Sequence, residues 1–246
     1  MIRKTFQFLP GVGEKKEKNI LQHAKNWSDF LDRQLPGISA RAKNAYDIEI
    51  RRAGQALREN DSAYFTGKLR PIENWRLYDV FAEEAIFLDV ESSGSSLGSY
   101  ITVLGLYDGI NTKTMVNGMN LDLAVLKKEL HKAKLIITFN GSSFDIPFLE
   151  KKYPGLVPCI PHIDVRHLCA KVGLTGGLKE IETQLGICRP NRIVEKLYSG
   201  DPIKLWRTYM ATGDEYYLGL LIEYNEEDVI NLKTIAERVI KKLSVG

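Results

Sequence analysis

The sequence predicts an α/β domain built on a mixed five-stranded sheet flanked by helices, preceded by a small all-helical N-terminal region. Three observations carry this. Residues 1–80 show helical apolar spacing without an alternating strand; from Glu84 onward short apolar runs suited to buried strands alternate with helical segments; and the charge changes sign between the two parts. Residues 1–80 hold 15 basic and 10 acidic side chains, a balance of +5, while residues 81–246 hold 19 and 21, a balance of −2. The expected domains are therefore 1–80 and 81–246.

In the first part, Gly11-Val12-Gly13 precedes a helix from Glu14 to Ala24 with Ile20, Leu21 and Ala24 as its apolar stripe. Ser28 is the expected cap of Asp29-Phe30-Leu31, and Pro36-Gly37 ends that segment. Ser39 caps a longer helix to about Glu59, with Ala42, Ala45, Tyr46 and Ile50 on one face, and Asn60-Asp61-Ser62 interrupts it. In the second part, strands are expected at Ala85–Val90, Tyr100–Tyr107 and Lys113–Val116, with Asp108-Gly109 as a hairpin turn. A helix carrying Leu121, Leu123, Val125, Leu126 and Leu130 follows, then a buried strand, Leu135–Phe139. That strand enters Asn140-Gly141-Ser142-Ser143 and a helix from about Phe144 to Lys152; Ile160–Val165 is the fifth strand. From Leu178 the chain reads as helical, with segments Leu178–Leu185, Ile203–Met210, Tyr216–Ile222 and Glu226–Leu243.

Composition narrows the class. With 246 residues, 44% hydrophobic and 26% charged, the chain has room for one medium domain and an appendage, or two small domains. Its 3 cysteines, Cys159, Cys169 and Cys188, form no Cys-x-x-Cys pair, which argues against a disulfide framework or a zinc ribbon and for a reducing compartment. Apolar runs such as Ala85–Leu88 fall far short of the roughly 20 residues of a membrane span, and no apolar signal core follows Met1–Thr5. A soluble cytoplasmic protein with no membrane association is the expectation. The basic first part suits an arm that grips nucleic acid, and equally suits ordinary solvated helix faces.

The acids carry the chemistry. Asp89 and Glu91 end the first strand as Asp-x-Glu; side chains two apart in a strand share a face, so both carboxylates can aim at one point. Like charges that close are costly without a cation between them. The same pair could also be two exposed acids entering the loop at Gly94. Asn140 to Leu149, with Asp145 within it, follows another buried strand, where α/β proteins place ligands; Ser143 could cap the helix there, with Asp145 in its first turn. Tyr224-Asn225-Glu226-Glu227-Asp228 opens an amphipathic helix, and Tyr224 and Asp228, one turn apart, can face one site; a core tyrosine is the other reading of Tyr224.

Taken in order, Phe87-Leu88-Asp89-Val90-Glu91-Ser92-Ser93-Gly94, Asn140 to Leu149 and Tyr224 to Asp228 resemble the three exonuclease motifs of the DEDD superfamily of 3'-to-5' exonucleases. Within it the chain looks most like the ribonuclease H-like YprB group, over about residues 84–242, including Tyr100–Gly105, His162–Val165 and Gly177–Glu182. The resemblance implies a ribonuclease H-like fold and two divalent cations, Mg²⁺ or Mn²⁺, held by Asp89, Glu91, Asp145 and Asp228, with Asp89 bridging both ions. Tyr-x-x-x-Asp, matched by Tyr224 and Asp228, is the tyrosine-subclass form; the histidine subclass would need His where Glu223 stands. It implies that Tyr224 orients the attacking water. Ser92-Ser93 departs from the commoner Thr-Thr and keeps the hydroxyls. In such a site, with ions roughly 3.5 to 4 Å apart, one ion activates water and the other stabilises the leaving 3' oxygen.

Lesser candidates remain. Phe144 and Phe148 flank Asp145 and could stack on a terminal base, with core packing as the other reading of Phe148. His162 and His167 near Asp164 read as structural, and Asp164 is left outside the metal ligands. Phe8 to Lys15 resembles the hairpin of a helix-hairpin-helix motif, in which Gly11, Gly13 and Lys15 would meet a phosphate; too few residues precede it for a full first helix, so a mere helix start is the other reading. Gly-Val-Gly lacks the Gly-Lys-Ser/Thr ending of a P-loop, so no nucleotide cofactor is expected. The function expected is metal-dependent removal of nucleotides from the 3' ends of single-stranded DNA or RNA. The alternatives are a non-catalytic ribonuclease H-like binding module and a structure-specific endonuclease; protein partners are not indicated.

Overall fold

Helix caps and buried aromatics set the first part of the chain; the computed structural model describes residues 1–94, 98–189 and 201–245. Helices α1 (Glu14–Leu21), α2 (Trp27–Leu31) and α3 (Ala40–Arg58) are followed by 3-10 turns at Ala63–Phe65 and Pro71–Leu77 and a short α4 (Tyr78–Phe81). Ser39 caps α3, its hydroxyl accepting from Ala42 N at 3.3 Å. The cap of α2 is Asn26 rather than Ser28: Asn26 Oδ1 accepts from Asp29 N at 2.9 Å. The earlier start puts Trp27 in the core, where its indole N–H donates to Thr5 O at 2.8 Å. In α3 the inner face is Tyr46, Ile50, Ala53 and Leu57, which leaves Ala45 exposed. Lys43 is buried on this helix, its ammonium 4.8 Å from the Phe30 ring centre and paired with Asp47.

The sheet has the order β3-β2-β1-β4-β5, from β1 (Ala85–Ser92), β2 (Ile101–Tyr107), β3 (Thr112–Val116), β4 (Leu135–Thr138) and β5 (His162–Asp164). The first three strands pair antiparallel and β1, β4 and β5 parallel, so the sheet is mixed as expected. Asp108 makes the β2–β3 hairpin by accepting from Ile110 N and Asn111 N at 2.9 and 2.7 Å, with Gly109 at φ 96°. The crossover from β3 to β4 runs through α5 (Leu123–Lys132), capped by Asp122, and that from β4 to β5 through α6 (Asp145–Lys152). Then come α7 (Val165–Lys171), α8 (Leu178–Gln184), α9 (Pro202–Thr212) and α10 (Glu215–Val245). The two C-terminal segments expected separately are one helix of 31 residues, because Glu223-Tyr224-Asn225 between them contains no breaker. Residues 190–200, within the stretch read as helical, lie outside the described residues.

Alternation along β1 sorts the packing. Ala85 and Phe87 face a cluster that also contains Val229, Leu232 and Val239 of α10 together with Phe6, Trp27, Phe30 and Trp75, so the helical N-terminal part and one sheet face share an apolar core. Ile86, Leu88 and Val90 face the opposite layer, against Leu126 and Leu130 of α5 and Leu149 of α6. Among the described residues, no helix is long and apolar enough to cross a membrane.

Candidate active site

Because β1 alternates, Asp89 and Glu91 fall on the same face as Phe87, beneath α10. On α10 the buried positions Leu221, Asn225, Asp228, Leu232 and Ile235 form one stripe. Its apolar members hold the helix on the sheet, and its polar members meet the end of β1. Oxygens of Asp89, Glu91 and Asp228 consequently lie within 4.8 Å of one another. Asn225 donates from Nδ2 to Asp89 Oδ2 at 2.8 Å.

Asp145 reaches the same end of β1 from the other layer. Strand β4 pairs with β1 only from Ala85 to Phe87, so β1 runs past its parallel neighbour. Asp145 Oδ1 accepts from the Val90 N–H at 3.0 Å, taking the place of the missing ladder partner. The turn ahead of it is held from β5: Asp164 accepts from Asn140 N at 2.8 Å, from Ser142 N at 3.1 Å and from the Ser142 hydroxyl. Asn140 sits at φ 62°, a left-handed conformation that Asn tolerates. Ser143 does not cap α6; the residue before the helix is Phe144, without a side-chain cap bond, and Ser142 instead bonds to Asp164. Asp164 thus shapes the turn from outside the carboxylate triangle.

Burial and mutual repulsion make Asp89 and Glu91 hard to ionise without a cation. Burial first, then the charges of Asp228 and Asp145, raise Asp89 well above the usual carboxylate range. Glu91 is raised by burial and then by Asp89 and Asp228. Burial pushes Asp145 up to about 7, against the N–H groups that hold its charged form. The Tyr224 phenol is raised by burial and by Asp228, Glu91 and Asp89, so it stays protonated.

Among the described residues, two cationic side chains already serve Asp228. Lys179 of α8 and Arg189 both pair with its Oδ1. Arg189, 3% exposed, also binds Glu182 through Nε at 2.7 Å and Nη2 at 2.5 Å and lies 3.3 Å from Glu227. The Lys179 ammonium stands 4.1 Å from the centre of the Tyr224 ring. Sequence reasoning missed both as site residues. Lys179 lay in a recognised segment, but a lone basic residue on a helix carries no sign of its partner; Arg189 follows α8 without a motif of its own.

The three oxygens of the triangle form a hard, all-carboxylate donor set, and burial and crowding that raise Asp89 and Glu91 favour a positive charge there. The set fits a divalent cation such as Mg²⁺ or Mn²⁺. Phe144 and Phe148 stack at 5.4 Å on the half-exposed side of α6, with Phe148 also packed on the core. His162 has a structural partner: burial lowers it to about 4, and its Nε2 bonds Thr138 Oγ1 at 2.8 Å. Gly11, Gly13 and Lys15 are exposed at the start of α1, outside the contacts of the acids described above. An open cleft of about 590 Å³ lies between residues 66–74 of the N-terminal part and Ser142, Ile146 and Pro147 beside Asp145.

A family model described as the RNase_H superfamily matches residues 86–240. No curated protein sequence matches the chain. Among solved structures, the family B DNA polymerase of the hyperthermophilic archaeon Pyrobaculum calidifontis is similar with a TM-score of 0.48 and 16% identity, over 63% of this chain and 24% of the polymerase. The chain thus spans about a quarter of that protein. The Nibbler EXO domain of Aedes aegypti is similar with a TM-score of 0.48 and 13% identity, over 69% of this chain and 83% of that domain.

Proposed function

The chain belongs to the RNase_H superfamily, and from that premise we propose that it is a metal-dependent nuclease, a 3'-to-5' exonuclease of single-stranded nucleic acid, working with two divalent cations, Mg²⁺ or Mn²⁺. The observation that carries the reading is the convergence of Asp89, Glu91 and Asp228, from a strand and a helix far apart in sequence, to within 4.8 Å. Asp145, held to Val90 N at the same strand end, is the fourth acid of this reading. When bound, the ions supply an activated water and charge stabilisation at the leaving oxygen.

The side chains divide the remaining work. Asp89 and Asp228 would hold the ions, with Glu91 and Asp145 closing the site from the strand end and from the opposite layer. Tyr224, protonated, donates a hydrogen bond to the attacking water and fixes its line of approach. The Phe144–Phe148 stack offers a half-exposed face to the terminal base. The cytoplasm, as the compartment of a chain with unpaired cysteines, belongs to the same proposal, as does a grip on phosphate by Gly11, Gly13 and Lys15.

A second reading, a binding module without catalysis, draws on the pairing of Lys179 and Arg189 with Asp228, which already supplies that carboxylate with positive charge. Single-stranded DNA and RNA labelled at the 5' end, incubated with Mg²⁺ or Mn²⁺, separate the two. The exonuclease produces a ladder shortening from the 3' end that Asp89→Asn abolishes. Binding without cleavage in either metal supports the module, and internal cuts support an endonuclease.

A further inference from the structure

Asn225 lies inside the Tyr-x-x-x-Asp motif but is neither its tyrosine nor its acid. Its side chain is fully buried, 0% exposed, on the stripe of α10 that carries Asp228. Nδ2 donates to Asp89 Oδ2 at 2.8 Å, while Oδ1 accepts no hydrogen bond among the described residues. A buried amide oxygen without a partner is costly, by about 1 to 3 kcal/mol in general. A leucine or alanine would fill the stripe without that penalty.

The oxygen rests against Gly105 of β2, the strand residue paired with Asp89 across the ladder. A Cβ on Gly105 would collide with Asn225 Oδ1 and lie 3.1 Å from its Cγ and 3.3 Å from Val229 Cγ1. Glycine weakens a strand interior, and here its flanking positions, Leu104 and Leu106, are ordinary buried strand residues. Two locally unfavourable choices, a glycine in a central strand and a half-satisfied amide in the core, therefore meet at one point. What they have in common is the orientation of Asp89. The turned-over amide would set its oxygen against the carboxylate, so the donor must face Asp89 whenever that acid is ionised.

We propose that Asn225 is a positioning residue for Asp89 and that Gly105 is the socket that admits it. By holding Oδ2, the amide fixes the orientation of the Asp89 carboxylate, which offers an oxygen to the triangle with Glu91 and Asp228. This inference rests on the reading of that triangle as a divalent-cation site. Outer hydrogen-bond partners of ligating groups typically alter metal affinity 10- to 100-fold.

The test is calorimetric titration of the full chain with Mn²⁺, alongside kcat and KM on a single-stranded oligonucleotide, for wild type, Asn225→Ala, Gly105→Ala and the double variant. Asn225→Ala is expected to weaken Mn²⁺ binding about 10- to 100-fold and to lower kcat, with KM for the strand within about 2-fold of wild type. Gly105→Ala, which displaces the amide without deleting it, should do the same. In the double variant the collision is relieved, so its melting temperature should exceed that of Gly105→Ala while Mn²⁺ binding stays weak. Folded Asn225→Ala or Gly105→Ala with wild-type Mn²⁺ affinity overturns the positioning role and leaves the cation site standing. A wild type that takes up no Mn²⁺ overturns both.

Discussion

Asp145 Oδ1 accepts the N–H of Val90 at 3.0 Å, so an acid from α6 completes the ladder of β1 where its parallel partner has stopped. The carboxylate is structural here, and the proposed function gives it a chemical role as well; substitutions should separate the two. Asp145→Asn keeps an acceptor for Val90 and removes a buried charge; its stability in EDTA should equal or exceed that of wild type while nuclease activity falls at least about 100-fold. Asp145→Ala leaves the N–H unpaired and should lose about 1 to 3 kcal/mol. Urea denaturation in EDTA measures both; equal destabilisation by Asn and Ala would contradict the ladder role.

Metal and pH should act together on stability. Asp145 has its folded affinity for protons raised to about 7 from an ordinary 3.8, and Asp89 and Glu91 are raised as well. Between these limits the folded chain binds more protons than the unfolded one, so stability falls as pH rises from about 4 through about 7. Under the proposed function, divalent cations should remove that penalty by binding the ionised acids. Melting curves in EDTA should decline from pH 5 to pH 7.5, and the upward shift given by saturating Mn²⁺ should grow over the same range. A shift independent of pH, or absent, would count against the coupling.

Arg189 is buried between Glu182, Glu227 and Asp228. Arg189→Met strands the Glu182 charge in the core and should cost about 3 to 5 kcal/mol, as breaking a buried pair generally does. Pairing it with Glu182→Gln should recover a large part of the loss. A double-mutant cycle by chemical denaturation measures the coupling, and additive losses would show that the two do not act as a pair.

Tyr224 keeps its proton in this acidic setting. Tyr224→Phe retains the ring beside Lys179 and removes only the hydroxyl. Mn²⁺ affinity should stay within about 2-fold, and single-turnover cleavage should slow about 100-fold, the size of effect a positioned proton donor supplies. Unchanged cleavage would return Tyr224 to a packing role.

Local patterns carried much of this molecule in the sequence. The apolar run of β1 and the Asp108-Gly109 turn each state their outcome within a few residues, and the helical spacing of α10 does so apart from the join between its two expected segments. What escaped depends on contacts between distant segments. Asn26 wins the α2 cap over Ser28 because Trp27 has to reach Thr5, and Ser142 rather than Ser143 is engaged in the turn because Asp164 stands opposite. Lys179 and Arg189 acquire meaning only when α8 and the chain after it meet α10. Gly105 is legible as a socket only once Asn225 is beneath it.

The central claim is that Asp89, Glu91, Asp145 and Asp228 hold divalent cations at the end of β1. Anomalous diffraction at the manganese edge, from crystals grown with Mn²⁺ and a nucleoside 5'-monophosphate, measures it directly. Two peaks are predicted, both touching Asp89, with Asp228, Glu91 and Asp145 supplying the remaining protein oxygens. Lys179 and Arg189 still paired with Asp228, and no anomalous peak among the four acids at saturating Mn²⁺, would contradict the account.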